Sequence, residues 1–240
     1  MLRRTLQRII PTYAVLPLFC TGLTFLLCYQ GPKLIQAIFG AGNAMDMETQ
    51  LPTIAKLDAM FPFTPAWSFV YLFSVVFMFY QHTTAARESP EAAYRLAAAD
   101  LFGKLICMIF FIAMPTTNER PLVEGDGFIA FFMRFVYRID TPTNLFPSLH
   151  CFIAWLGTRQ IFEAKNPRFR VLNCTLCLIG SLLVFISTLY TKQHVIIDIF
   201  AGVALAEIAF VIAKHTGLPN IFKKLNEWFM TTKLCRFYDK

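Results

Sequence analysis

Charge is scarce in this chain. Asp, Glu, Lys and Arg together make 15% of its 240 residues, against about 25% in soluble domains. Residues of the apolar and aromatic set (AVILMFWYC) make 56%, and the mean hydropathy is +0.53. A water-soluble fold of this length cannot hide that much apolar surface. Low-complexity tracts and a collagen-like glycine period are missing too, which excludes disordered and fibrous chains. Acidic residues are fewer than basic ones, 15 against 22, leaving a net charge of +7. That surplus is spread along apolar sequence rather than gathered on one face, which argues against a nucleic-acid partner and makes it a topology signal. HExxH, Cys/His zinc spacing and a P-loop are all absent, so no metal site and no cofactor is expected.

The seven cysteines show no secreted disulfide framework and do not decide a redox compartment. Cys174 and Cys177 form a CxxC, but inside the apolar run 171–190, where they read as two small apolar residues on one helix face.

A bilayer core of about 30 Å needs about 20 apolar residues in a helix. Six runs approach that length: 13–30, 60–80, 97–115, 147–162, 171–190 and 195–213. The fourth is the shortest, ending in Gly157-Thr158-Arg159, and Arg159 is expected to snorkel outward. The expected fold is all-α: a polytopic membrane protein, one domain over residues 1–240, built as a six-transmembrane-helix bundle. The first run is long for a signal peptide, and the small residues Ala41, Gly42 and Ala44 lie far downstream of it. It is read as a retained anchor.

Six passes put both termini on one side, and the cations sort accordingly. One side takes Arg3, Arg4, Arg8, Arg87, Arg95, Arg159, Lys165, Arg168 and Arg170. It also takes Lys214, Lys223, Lys224, Lys233, Arg236 and Lys240. The other holds Lys33, Lys56, Arg120, Arg134, Arg138 and Lys192. The positive-inside rule then predicts a multi-pass cell-membrane protein with cytoplasmic termini.

The parity of the spans also sorts the four histidines. His82 and His215 fall at cytoplasmic ends, where they are expected to be solvated or headgroup-facing. His150 and His194 fall at the outer ends of the fourth and sixth runs. Arg120, Ser148 and Lys192 come to the same face. Asp198 follows His194 by four residues, which on a helix sets the two side chains together. A carboxylate just inside a span wants a partner, and an imidazole N–H is a suitable one that would leave the other ring nitrogen free as nucleophile or base. Two histidines beside a guanidinium, an ammonium and a hydroxyl suit a phosphate better than a carbonyl. Asp46, Glu48, Glu119, Glu124 and Asp126 read as solvated loop positions. Asp100 and Lys104 read as a structural i,i+4 pair, and Glu207 as a bundle-facing acid.

Pro147-Ser148-Leu149-His150 matches the PSxH motif, and residues 187–198 (STLYTKQHVIID) resemble the third motif, SRxxxxxHxxxD, of the type 2 phosphatidic acid phosphatase superfamily. That superfamily includes lipid phosphate phosphatases, undecaprenyl diphosphate phosphatases and, more distantly, inositol phosphorylceramide and sphingomyelin synthases. Pro115-Thr116 to Arg120-Pro121 and Asp140-Thr141-Pro142-Thr143-Asn144 to His150 look like a bacterial branch of it. The resemblance implies that His194 attacks phosphorus to form a phosphohistidine and that Asp198 orients it. It further implies that His150 protonates the leaving alkoxide and then activates water, with Arg120 and Ser148 holding phosphate oxygens. The chain departs from the motifs at two places: Ala113 stands where the first motif has a Lys, and Thr188 where the third has an Arg. Lys192 is expected to replace one of these cations.

For the other, Arg134 and Arg138 are candidates. Phe128, Phe131, Phe132, Phe135, Val136 and Ile139 form a helical apolar stripe with the two arginines away from it. This predicts an amphipathic helix flat on the outer interface, presenting Arg to the substrate or simply to bulk headgroups. The expected activity is a metal-independent lipid phosphatase with its site on the extracytoplasmic face, the bilayer and a membrane lipid phosphate being its partners. A phosphotransferase that delivers the phosphoryl group or headgroup to an alcohol is the nearest rival, and a non-enzymatic transporter or scaffold a third reading.

Overall fold

The computed structural model describes residues 7, 9–40, 44–165, 167–232 and 235. Arg3, Arg4, Arg8, Lys233, Arg236 and Lys240, part of the expected orientation signal, and Ala41 and Gly42 lie outside them. The regular structure of the described chain is helical apart from a two-residue parallel bridge, Met45–Asp46 with Thr116–Thr117, and loops join the helices.

Among the described residues, five stretches are long and apolar enough to cross a membrane. They are α1 (Thr12–Phe39), α3 (Ser68–Ala86, entered through a 3₁₀ turn at Pro65–Trp67), α4 (Pro90–Ala113), α7 (Pro167–Tyr190) and α8 (Ile196–His215). A single helical turn at Met47–Gln50, a short α2 (Pro52–Asp58), an α5 (Phe128–Ile139), an α6 (Leu149–Phe162) and an α9 (Pro219–Met230) are the other helical segments. This is an all-α polytopic membrane protein.

The second expected span, 60–80, is displaced. Pro62 and Pro65 keep the chain before Pro65 from being helical, and the helix instead continues through Gln81-His82-Thr83-Thr84 to Ala86. That polar run resembles an exit into water but is buried among neighbouring helices. The Gln81 amide gives hydrogen bonds to the Ala154 carbonyl at 3.1 Å, Thr158 Oγ1 at 2.8 Å and Ser181 Oγ at 3.2 Å, tying α3, α6 and α7 together. Polar side chains bridge membrane helices in this way because no water competes for them. His82, expected from its place in the sequence to be solvated or headgroup-facing, is therefore buried instead. It is 5% exposed, with Nε2 3.8 Å from the Asp100 carboxylate and Nδ1 on the Met78 carbonyl.

The fourth expected span, 147–162, is the 14-residue α6, about 21 Å long and too short to cross alone. Most of its residues are buried, enclosed by α3, α4, α7 and α8. It runs parallel to α8: the Ser148 N–H bonds the Asp198 carbonyl at one end, and Glu163 pairs with Lys214 at the other. It thus carries the chain from one face to the other beside a full-length helix, and the parity of the flanking segments is kept.

Asp100 and Lys104 form the expected pair at 2.5 Å, both buried, and Lys104 also donates to the Thr21 carbonyl of α1 at 2.8 Å. Arg159 does not snorkel outward. It holds Glu207 at 3.1 Å and Glu163 at 3.0 Å and covers the Phe210 ring, because acids on α8 and its own helix lie within reach. Cys174 and Cys177 are free thiols.

Candidate active site

The site is built around the start of α8. After Tyr190, Lys192 takes a left-handed backbone (φ 53°), and the N–H groups of Gln193 and His194 both turn back to the Thr188 carbonyl at 2.9 and 3.3 Å. Asp198 then closes the first turn of α8: its Oδ2 accepts the Val195 N–H at 3.1 Å and faces His194 Nδ1 at 3.2 Å. One carboxylate, itself fully buried, therefore both caps the helix and fixes the imidazole. With Nδ1–H donated to Asp198, Nε2 is the nitrogen left for chemistry. The Asp58 carboxylate of α2 accepts the Ile196 N–H at 2.9 Å and anchors the same turn from outside.

The second histidine arrives on α6. Ser148 caps that helix by accepting the Cys151 N–H at 3.3 Å, and His150 is its second residue. Gly202 lets α6 approach: a Cβ there would lie 2.5 Å from the Ser148 carbonyl oxygen. The two imidazole rings end with centroids 5.9 Å apart, edge to face. His150 Nε2 is 3.1 Å from the Tyr71 hydroxyl of α3, and that hydroxyl donates to Asp140 Oδ2. Tyr29 of α1 donates to the other oxygen of Asp140. Burial alone would raise the Asp140 pKa, but the field of His150 and the two tyrosine hydrogen bonds more than offset it. The carboxyl is held below its ordinary value.

Arg120 comes from the loop between α4 and α5. Its guanidinium donates to the Asp140 carbonyl and to Gln193 Oε1, and lies 4.8 Å over the Tyr137 ring. Burial lowers its pKa from the usual value while the Asp140 charge opposes the change, and an arginine remains a cation through this range. Burial likewise pushes the Tyr137 hydroxyl up to about 12. Thr116 and Asn118 clamp the loops: the Leu145 and Phe146 N–H groups bond Thr116 Oγ1 at 2.9 and 3.0 Å, and the Asn118 amide bonds the Lys192 carbonyl at 2.9 Å.

Between the histidines lies a tight cavity, about 10 Å³, lined by Tyr29, Asp140, Asn144, His150, Gln193 and His194 among others. It has room for about one water molecule. From α1, Lys33 donates to Thr141 Oγ1 at 3.0 Å, and Gln36 to Asn144 Oδ1 at 2.9 Å, closing the cavity on that side.

His194, Asp198, His150 and Arg120 are thus brought together, with Ser148 behind them as a helix cap. None of the four cations Arg120, Lys192, Arg134 and Arg138 is on the cavity wall, but Arg120 bonds two residues that are, Asp140 and Gln193, and the other three are held elsewhere or exposed. The Lys192 ammonium holds the Asp58 carbonyl at 3.0 Å. Arg134 holds the Val123 carbonyl at 3.1 Å and the Gly125 carbonyl, with Asp126 at 3.8 Å. Arg138 is exposed. The predicted helix of these arginines exists as α5, with Ala130, Met133 and Val136 packed inward and Phe128, Phe131, Phe135 and Ile139 exposed. Its stripe is split: the phenylalanines face outward, and smaller residues make the inner contact. Tyr29, Tyr71, Gln193 and Lys33 were not anticipated at the site, and Asp140 was read only as part of a motif. The available signal was a pair of tyrosines in apolar runs, since a buried tyrosine hydroxyl requires a partner.

No curated protein and no solved structure matches this chain. A family model described as PAP2 superfamily matches residues 43–212, which contain every residue of the histidine–aspartate–arginine cluster. The chain therefore belongs to the PAP2 superfamily and is a membrane enzyme of its phosphatase type.

Proposed function

We propose that this protein hydrolyses the phosphate or diphosphate ester of a membrane lipid through a phosphohistidine on His194. The observation that carries the reading is the pairing of His194 Nδ1 with buried Asp198, which leaves Nε2 toward a cavity faced by a second imidazole. Nε2 attacks phosphorus as the P–O bond to the lipid breaks. His150 gives its proton to the departing alkoxide, then takes one from the water that cleaves the P–N bond, returning phosphate and free His194. Asp198 stabilises the imidazolium-like charge that develops on His194.

Arg120 stabilises the charge spread over the equatorial oxygens, exchanging its present amide and carbonyl partners for phosphate. Ser148 sets the N-terminus of α6, whose positive dipole end faces the same place. Lys33 supports the reading as the second cation, since its ammonium lies on Thr141, adjacent to Asp140. Each proton and charge in this sequence is handled by a side chain of the protein, so the reaction is metal-independent. The whole chain acts as one membrane domain, with the site on the extracytoplasmic face that the positive-inside rule assigns.

A leaving-group comparison tests the reading. His150→Ala is expected to lose about 10²–10⁴-fold in kcat/KM, which reports formation of the phosphoenzyme, on an alkyl lipid phosphate, and far less in kcat/KM on p-nitrophenyl phosphate, whose leaving group needs no proton. Equal losses on both would contradict the assignment of His150. Phosphate release undiminished by added diacylglycerol, ceramide or other alcohols distinguishes hydrolysis from transfer.

A further inference from the structure

A second cavity, about 290 Å³, opens at the opposite end of α8 from the histidines, between the first turns of α4, the end of α8 and the start of α9. The 20 residues of α8 separate it from His194 by about 30 Å, a whole bilayer core. Its volume is near the lower bound, about 300 Å³, of small-ligand sites. Its walls include Tyr94, Arg95, Lys214, Asn220 and Lys223, with Glu91 as an exposed acid.

The charges there are unevenly matched. Lys214 is paired with Glu163 at 2.9 Å. Arg95 is half-buried and donates Nε to the Gln160 amide oxygen at 2.9 Å, with its guanidinium 5.4 Å over the Phe210 ring. Among the described residues no carboxylate lies within 4.0 Å of Arg95 or Lys223. A guanidinium drawn partly out of water, whose direct contacts are a neutral amide and a ring and whose nearby acids Glu163 and Glu88 act only through space, has room for a further anion. The Tyr94 hydroxyl accepts from Asn226 at 2.9 Å and keeps its own proton to give.

The surroundings select the kind of anion. α9 buries Phe222 and Phe229 toward α1 and α4, yet leaves Ile221 (51%), Leu225 (43%) and Trp228 (65%) exposed in a second stripe. A helix with an exposed Trp-containing apolar stripe lies along a membrane interface. Lys223 and Asn220 occupy its polar side, so the cavity sits at headgroup depth, where basic pockets between spans hold anionic lipids. We propose that this cavity binds the phosphate headgroup of an anionic phospholipid, with Arg95 and Lys223 as its cationic ligands, as a site separate from the catalytic one.

The test uses the full-length protein purified in detergent, in a His194→Ala background so that nothing is turned over. Thermal unfolding and native mass spectrometry are followed while phosphatidylglycerol, phosphatidylcholine or inorganic phosphate is added. The expected result is one retained phosphatidylglycerol with a raised Tm, and neither of the other two matching it. Lys223→Gln and Arg95→Gln should each weaken binding about fivefold. Lys224→Gln, one residue along α9 and outside the cavity, should change nothing. If Arg95→Gln does not fold, Lys223→Gln at an exposed position carries the test. Equal weakening by Lys223→Gln and Lys224→Gln, equal binding of phosphatidylcholine, or equal stabilisation by inorganic phosphate would each overturn the proposal.

Discussion

Asp198 performs two tasks with one oxygen, capping α8 and holding His194, and this makes it separable from the nucleophile by experiment. Asp198→Asn keeps the size of the side chain but loses the charge that stabilises a cationic ring. Its kcat is expected to fall about 10⁴-fold, as for carboxylates that orient a histidine in acyl transfer, and kcat near wild type would show that Asp198 only caps the helix. Tyr71→Phe removes one hydroxyl that touches both His150 and Asp140 while preserving the ring. As a positioning residue it should cost about ten- to hundredfold in kcat, with the pH dependence of kcat displaced and KM little changed. An unchanged pH profile would reduce Tyr71 to packing.

Asp140 carries a signed prediction. Its folded pKa is depressed, so its contribution to stability is present above the ordinary carboxylate range and is lost only as pH falls below that range. Asp140→Asn should therefore lower Tm at neutral pH, and the gap from wild type should narrow in strong acid. A gap that widened in acid would reverse the sign. His194, Asp198 and His150 were legible in the sequence because an i,i+4 spacing and a motif at a span's end place them directly. Tyr71 and Asp140 stand 69 residues apart and meet only through the packing of α3 against α5, which no local pattern encodes.

At the scale of elements, the joint between α6 and α8 decides whether the histidines face each other. Gly202→Ala would put a methyl 2.5 Å from the Ser148 carbonyl oxygen and push the start of α6 away. The expected outcome is a folded protein whose activity falls about 10²-fold, the cost of a misplacement near 1 Å. Activity at wild-type level would mean that the two helices can part without harm. Span existence was legible from apolar length, but two boundaries were not. Gln81 to Thr84 look like an exit into water and are instead buried, with the Gln81 amide bonded to α6 and α7 and His82 beside Asp100 of α4. Arg159 looks like a snorkelling end and is instead held by Glu207.

The buried Asp100–Lys104 pair locks α4 to α1 rather than serving chemistry. Removing one partner, as in Asp100→Ala, leaves an ammonium uncompensated and should cost about 3–5 kcal/mol. The double change Asp100→Leu with Lys104→Met should recover much of that loss in thermal unfolding. A double variant worse than Asp100→Ala would show that the charges themselves are required.

For the whole molecule, the topology divides the work between two faces about 30 Å apart. Odd and even spans deliver His150, His194 and Arg120 to one end, and the opposite end gathers Arg95, Lys214 and the amphipathic α9. The cavity between the histidines holds about one water as it stands. On the proposed function, admitting a lipid phosphate requires the contacts of Tyr29, Lys33 and Gln36 with the loop at residues 140–144 to part. That dependence on α1 was invisible in the sequence, where the first run offered only hydropathy.

The central claim is the covalent intermediate on His194. Purified protein is incubated with a panel of ³²P-labelled lipids, including phosphatidate, phosphatidylglycerophosphate and undecaprenyl diphosphate, and quenched in denaturant at alkaline and at acid pH. A label stable in alkali, released by acid and absent from His194→Ala is the predicted result. Hydrolysis that persists in His194→Ala would contradict the account.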